Sequence, residues 1–354
     1  MSNYWSPLIR ELKPYVPGEQ PKEDGFIKLN TNENPYPPSP RVIDAIAKAA
    51  DASLRRYPDP DCDALRQAIA EYYSVGRENV FVGNGSDEIL ALSFISFFKQ
   101  PLPILFPDIS YSFYDVYCGL FEIRNIRVPL TEAFDISLPD YERPNGGVIF
   151  PNPNAPTGKL LPLDRIKNFL ERNGESVVIV DEAYIDFGGE TAIQLIGEHP
   201  NLLVAQTFSK SRALAGLRIG AALGSFELIE GLQRAKNAFN SYPLDRLAIA
   251  GAVEAVREDA YFRAICKKVM DTRERTVAAL SKMGFSIVPS SANFIFVRPA
   301  GIEAGELYAR LKEEKILVRY FDKPRINDYL RVTIGTDAEM QAFIEKTGRI
   351  LASG

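Results

Sequence analysis

Leu202-Leu203-Val204-Ala205-Gln206-Thr207-Phe208-Ser209-Lys210-Ser211-Arg212-Ala213-Leu214-Ala215-Gly216-Leu217-Arg218-Ile219-Gly220 is the stretch on which the fold turns. It opens as a short apolar run of the kind that makes a buried strand, passes into hydroxyl residues and then presents a lysine. Arg218 follows between Gly216 and Gly220. A lysine amine attacks carbonyl carbon when its surroundings let it lose its proton. The largest cofactor class built on that chemistry is pyridoxal phosphate, whose aldehyde condenses with an enzyme lysine. Ser209 and Arg218 would then be natural phosphate ligands. Alone the lysine says little, because the chain carries 41 Lys and Arg residues and most of them must face water.

The neighbouring segments extend the pattern. Val80-Phe81-Val82, Ile104-Leu105-Phe106, Val148-Ile149-Phe150 and Val177-Val178-Ile179-Val180 read as further buried strands. Amphipathic stretches at Arg41–Ala52, Asp63–Tyr73 and Leu163–Arg172 read as helices between them. Such alternation predicts an α/β fold, with a mostly parallel sheet covered on both faces. Residues 1–40, rich in proline and polar side chains, are expected to form an arm with little regular structure that packs partly with the small domain. A large domain is expected over 41–245. From Asp245 to Met283 a nearly unbroken helical pattern leads out of it. Phe294–Val297, Ile316–Arg319 and Tyr329–Ile334, alternating with helices at Ala304–Glu314 and Asp337–Leu351, suggest a smaller α+β domain over 246–354.

Ligands of open α/β sheets bind beyond the carboxyl ends of the strands, and every chemically suggestive segment here follows such a strand. After Val82 comes Gly83-Asn84-Gly85-Ser86-Asp87-Glu88 at a helix start, where free N–H groups and the positive dipole end suit a phosphate. The alternative is a helix merely capped by Ser86. After Val180 comes Asp181-Glu182-Ala183-Tyr184. Asp181 would pair with a protonated pyridine nitrogen, keeping the ring an electron sink, and Tyr184 would bond the ring oxygen. A helix cap or a Mg²⁺ ligand is the alternative for Asp181. Asn154, in the rigid Pro151-Asn152-Pro153-Asn154-Ala155-Pro156-Thr157-Gly158 loop, would donate to the same oxygen, although most such loops are only turns. Tyr111, after Pro107-Asp108-Ile109-Ser110, is placed to stack on the ring or to pack in the core.

Composition removes several other chemistries. With 46% hydrophobic and 25% charged residues the chain reads as an ordinary soluble protein. A net charge of -5 without a basic run argues against nucleic acid as a partner. Cys62, Cys118 and Cys266 are scattered and odd in number, which suits a reducing compartment and neither a disulfide framework nor a zinc site. His199, the single histidine, sits in a polar Gly-Glu-His-Pro turn, so a serine-hydrolase triad or a histidine-rich metal site is not expected. No apolar run is long enough to span a bilayer, and the amino terminus lacks a signal pattern, so a cytoplasmic protein is expected.

Taken in order, these segments resemble the aspartate-aminotransferase-like (type I) pyridoxal-phosphate enzymes, and within them the class II histidinol-phosphate aminotransferases. The resemblance also rests on Pro14-Tyr15-Val16-Pro17-Gly18, Leu29-Asn30-Thr31-Asn32-Glu33-Asn34-Pro35, Arg56-Tyr57-Pro58-Asp59 and Leu330-Arg331-Val332-Thr333-Ile334-Gly335. It implies a seven-stranded large domain and a smaller carboxyl-terminal one. It assigns Lys210 to bonding the cofactor aldehyde and to shuttling the proton between substrate carbon and cofactor. Asp181 falls to the pyridine nitrogen, Asn154 and Tyr184 to the ring oxygen, Tyr111 to the ring face. Ser86, Asp87, Ser209 and Arg218 surround the phosphate, the first two mainly through their backbone. Tyr57 would reach the cofactor phosphate of a neighbouring subunit, implying a homodimer with shared sites. Arg331 and Arg319, with Tyr15 and Asn32 nearby, would bind the substrate's phosphate or carboxylate, since a guanidinium fork suits either anion. Ala155 departs from the family, which often has a second asparagine there. The implied reaction is transfer of the amino group from histidinol phosphate to 2-oxoglutarate in histidine biosynthesis. Aromatic amino-acid transamination and a threonine-phosphate decarboxylase-like reaction share the fold and similar motifs. A non-catalytic regulator would need a DNA-binding segment that this chain does not display.

Overall fold

The computed structural model describes residues 3–353. Its larger unit is organised on a seven-stranded sheet of β2 (Val80–Asn84), β3 (Ile104–Pro107), β4 (Asn125–Val128), β5 (Val148–Pro151), β6 (Val178–Asp181), β7 (Leu202–Thr207) and β8 (Ile219–Gly224), in the order β2-β8-β7-β6-β5-β3-β4. Only β8 runs against its neighbours; the rest are mutually parallel. Side chains alternate between two apolar layers. Val148, Phe150, Val178, Val180, Leu202 and Val204 enter one, while Ile149, Ile179, Leu203 and Ala205 enter the other. That two-sided burial is why these strands read as unbroken apolar runs in the sequence.

Two strands of this sheet escaped the sequence reading. β4 is an edge strand whose first three residues are exposed, so no apolar run marks it. β8 is Ile-Gly-Ala-Ala-Leu-Gly, too small in its side chains to resemble a strand. Its Gly220 is required by a close approach: a Cβ there would lie 2.5 Å from the Gly85 carbonyl carbon and 2.6 Å from the Ser86 nitrogen. The glycine therefore sets how near the helix start at Gly85 comes to the sheet.

The smaller unit has an antiparallel sheet of β9 (Ser286–Val288), β10 (Phe294–Arg298), β12 (Arg319–Tyr320) and β13 (Leu330–Thr333), ordered β12-β13-β10-β9. Helices Asp259–Lys282, Ala304–Glu313 and Asp337–Ala352 contribute to its core. The arm is less irregular than expected. After a short helix at Pro7–Glu11, β1 (Ile27–Lys28) pairs in parallel with β11 (Ile316–Leu317), and Leu29 is buried in the small unit's core.

The long helical pattern after Asp245 is two helices, Arg246–Arg257 and Asp259–Lys282, broken at Glu258. The first buries Ala248, Ala252 and Ala255 in the large unit's core, and the second sends Phe262, Cys266 and Val269 into the small one. One straight helix could not serve both cores, and packing overrides a helical propensity that contains no breaker. The large unit's core thus continues past 245, through Val256.

Candidate active site

Because the parallel strands end on one edge, the segments that follow them converge there. Pro107, Pro151, Asp181 and Thr207 close β3, β5, β6 and β7. Between that edge and the small unit lies a cavity of about 340 Å³. Its wall includes Tyr15, Asn32, Ser86, Asp87, Tyr111, Asp181, Tyr184, Ser209, Lys210, Arg218, Arg319 and Arg331. Residues from the arm, both units and chain positions hundreds of residues apart thus share one space.

Lys210 lies just beyond β7, and its Nζ donates to the Thr31 carbonyl at 2.9 Å. Burial and the nearby Arg331 push its pKa down to about 8, against the opposing pull of Glu33 and Asp87. An amine near that value exists partly unprotonated around neutral pH and is a competent nucleophile and base.

Asp181 is 4% exposed. Burial raises its pKa to about 6, opposed by a 2.8 Å hydrogen bond donated by the Tyr114 hydroxyl. A buried carboxylate with this balance is stabilised in its charged form by a cation, and a pyridinium N–H would provide one. Tyr114 was not anticipated. It is fully buried in an aromatic cluster with Phe94 and Phe106, and nothing in the sequence separates its role from ordinary core packing.

At the cavity's other end the Gly85–Ser93 helix begins without a side-chain cap, so Ser86 does not serve as one. Arg218, itself in the left-handed region, reaches the helix start. Its Nη2 contacts Asp87 Oδ2 at 3.0 Å, and its Nη1 donates to Ser209 Oγ at 3.4 Å. Gly85, at φ +78°, keeps room for it: a Cβ would stand 2.7 Å from Nη2. Uncapped helix amides, a guanidinium and a serine hydroxyl are the donor set of a phosphate site. The Asp87 carboxylate, expected to matter mainly through its backbone, is bonded by both Arg218 and the Tyr111 hydroxyl (2.8 Å). Ser209, Arg218 and the helix start at Ser86 and Asp87 line the same cavity as the Asp181 carboxylate and the Lys210 amine.

The substrate end is cationic. Arg331 donates from Nη2 to the Asn30 carbonyl at 2.8 Å, while its buried Nε has no partner. Arg319 donates to the Val16 carbonyl at 3.4 Å. Among the described residues, neither guanidinium has a carboxylate within salt-bridge reach. Burial and mutual repulsion lower the pKa of Arg331, although a guanidinium stays charged. Two such charges in a cavity call for an anionic ligand.

Three further candidate residues are placed as follows. Asn154 is buried, but its Nδ2 is committed to the Ile109 carbonyl (3.1 Å) and Thr157 Oγ1 (3.0 Å), leaving Oδ1 unpartnered. Its amide hydrogens are therefore engaged within the protein. Asn32 donates to Tyr184 Oη at 3.0 Å, and its Oδ1 accepts from the Thr333 hydroxyl at 2.9 Å. It positions Tyr184. Tyr57 lies outside the cavity wall, 78% exposed and stacked on Tyr242 at 4.6 Å.

Fold and site together define an enzyme of the α/β class whose cavity holds a buried lysine amine near two arginines without carboxylate partners. The chain belongs to the family described as aminotransferase class I and II, which it matches over residues 24–346. It is 59% identical to histidinol-phosphate aminotransferase 1 of Hydrogenovibrio crunogenus over 96% of this chain and 95% of the relative. It is 57% identical to the Methylococcus capsulatus protein of the same name, over 99% of both chains. A crystal structure of histidinol-phosphate aminotransferase from Sinorhizobium meliloti in complex with pyridoxal-5'-phosphate shares the fold, with TM-score 0.89 at 24% identity, covering 100% of this chain and 99% of that one.

Proposed function

We propose that this chain is a pyridoxal-phosphate-dependent transaminase that converts histidinol phosphate and 2-oxoglutarate to imidazole-acetol phosphate and glutamate in histidine biosynthesis. The observation that carries the reading is Lys210 sharing one cavity with Arg331 and Arg319, a pair of guanidiniums without carboxylate partners. The near-full-length relatives bearing that name support the choice of substrate.

Bound between Lys210 and Asp181, pyridoxal phosphate would supply an electron sink for charge developing on the substrate carbon. Ser209, Arg218 and the amides at Ser86 and Asp87 would hold its phosphate. Asp181 keeps a negative oxygen for the pyridine N–H, oriented by the Tyr114 hydroxyl. Tyr184, held by Asn32, would bond the ring oxygen, and Tyr111 would cover the ring face. Lys210 Nζ then takes the proton from the substrate carbon and returns it on the other side of the transfer. Arg331 and Arg319 clamp the phosphate of one substrate and the distal carboxylate of the other. One site therefore serves both halves of a ping-pong cycle. The reading includes a cytoplasmic homodimer. Tyr57, exposed and stacked on the exposed Tyr242, would there reach the partner's cofactor phosphate.

The test follows the cofactor's absorbance while purified protein is titrated separately with L-histidinol phosphate, L-phenylalanine and L-glutamate. The reading expects the aldehyde form to give way to the amine form at far lower histidinol phosphate than phenylalanine. Conversion by phenylalanine alone would make the chain an aromatic aminotransferase. Release of carbon dioxide from a phosphorylated amino acid without an oxo-acid acceptor would make it a lyase. Lys210→Ala should lose at least about 10³-fold in turnover while still holding the cofactor without a covalent bond; near-normal turnover would remove the mechanism.

A further inference from the structure

Three carboxylates on the cavity wall differ in their company. Asp87 is bonded by Arg218 and Tyr111, and Asp181 by Tyr114. Glu33, on the arm, has no part in holding cofactor or substrate as described above. It forms an ion pair with Lys28 and accepts from the Thr31 hydroxyl at 2.8 Å. The same hydroxyl is contacted by Lys28 Nζ at 2.6 Å, and the carbonyl of the same residue accepts from Lys210 Nζ at 2.9 Å. Thr31 therefore joins two charged side chains to the reactive amine.

The charges facing Lys210 come from four places. Arg331 on β13 and Arg218 before β8 favour loss of its proton; Glu33 on the arm and Asp87 on the Gly85–Ser93 helix favour keeping it. Asp87 is offset by its own contact with Arg218, so Glu33 is the other carboxylate that favours the ammonium. Glu33 is itself answered by Lys28, whose partner strand belongs to the small unit. Burial raises the pKa of the wall tyrosines Tyr111 and Tyr184, so neither carries charge near neutral pH.

We propose that Glu33 and Lys28 are paired positioning residues for Lys210: Glu33 supplies the counter-charge for its ammonium, and Lys28 limits how much of that charge reaches it. The reaction requires Lys210 to hold a proton at one moment and release it at another. A full carboxylate beside the amine would hold the proton too firmly, and bare arginines would expel it. A carboxylate partly neutralised by a neighbouring lysine lies between these extremes. The Thr31 carbonyl fixes the direction of the amine in either state, because an amine and an ammonium can both donate to it. This inference rests on the reading of Lys210 as the reactive amine.

Opposite substitutions distinguish charge tuning from mere structural support. The full chain, freed of cofactor, is treated with an amine-acylating reagent across a pH series, and modification of Lys210 is followed by mass spectrometry. Glu33→Gln should lower the midpoint of Lys210 reactivity by about half a unit to one unit. Lys28→Met should raise it by a similar amount, and Lys28→Arg should restore the parental value. The shifts are set below those of a dry pair because Glu33 is 44% exposed in its side chain. With cofactor bound, the pH at which its absorption band changes should move in the same two directions. If Lys28→Met does not fold, Lys28→Gln removes the same charge. Unchanged midpoints, or shifts of the same sign in both variants, would overturn the proposal. Turnover surviving Lys210→Ala would instead overturn the functional reading and leave these midpoints as measured, so the two fail separately.

Discussion

Asp181 shows how a single side chain carries both a cost and a function. Its folded-state pKa of about 6 lies above the ordinary 3.8, and burial is the main cause. Between those values the folded chain binds the proton that the unfolded chain has released. Stability without cofactor therefore falls as pH rises from about 4 through 6, by roughly 2 kcal/mol. The adjacent Glu182, raised by burial to about 7, adds to the same trend. Denaturation midpoints of the cofactor-free chain at pH 4.5 and 7 should show this fall, and Asp181→Asn should reduce it. Cofactor should stabilise more at the higher pH, because its pyridinium would favour the charged carboxylate. Part of the residue scale was open to reading, since Asp181 closes β6 and Ser209 and Lys210 follow the end of β7, where ligands of such sheets bind. Tyr114 and Glu33 were not, because an aromatic in an apolar helix and an acid in a polar arm have commonplace alternatives.

At the scale of elements, the site depends on a contact made by two strands and one helix. β8 lies between β2 and β7 in antiparallel register, with Gly220 opposite Gly83 and Thr207. The start of the Gly85–Ser93 helix rests on that glycine, and Arg218 enters β8 from the phosphate end. Gly220→Ala should destabilise the protein by roughly 1–3 kcal/mol, because the neighbour that must move is backbone. It should also weaken cofactor binding, since the amides at Ser86 and Asp87 would be displaced from Arg218. A chemical denaturation curve and a cofactor titration check this together, and an unchanged cofactor affinity would detach the contact from the site. The parallel strands were legible because both faces are apolar. β8 and the break at Glu258 were hidden because small residues and an uninterrupted helical pattern look the same in many packings.

The whole molecule divides the labour. The phosphate donors, Asp181 and Lys210 stand on the large unit, while Arg319 and Arg331 come from the small one. Arg325 ties the two, with Nη1 on Asp108 Oδ2 at 3.0 Å and Nη2 on the Leu130 and Thr131 carbonyls at 2.8 and 3.0 Å. Around it Ile109, Leu130 and Phe134 pack against Val288, Phe296 and Ile326. Arg325→Ala should loosen the substrate arginines without touching the phosphate site. The expected result is a KM several-fold higher for both substrates with cofactor affinity unchanged, the lost bonds amounting to about 1–2 kcal/mol. Steady-state kinetics beside a cofactor titration would decide, and a fall in cofactor affinity alone would contradict the division.

The sequence by itself determined the parallel sheet, from periodicity, and singled out Lys210 and Asp181 as candidates from their place at strand ends. Arg319 and Arg331 came from the family resemblance, and all four line one cavity. Only the tertiary structure decided that Tyr114 bonds Asp181, that Lys28 and Glu33 reach Lys210 through Thr31, and that Arg325 joins the units. Those pairings unite surfaces far apart along the chain, and which polar groups meet there is settled by packing, since no repeat or spacing encodes it.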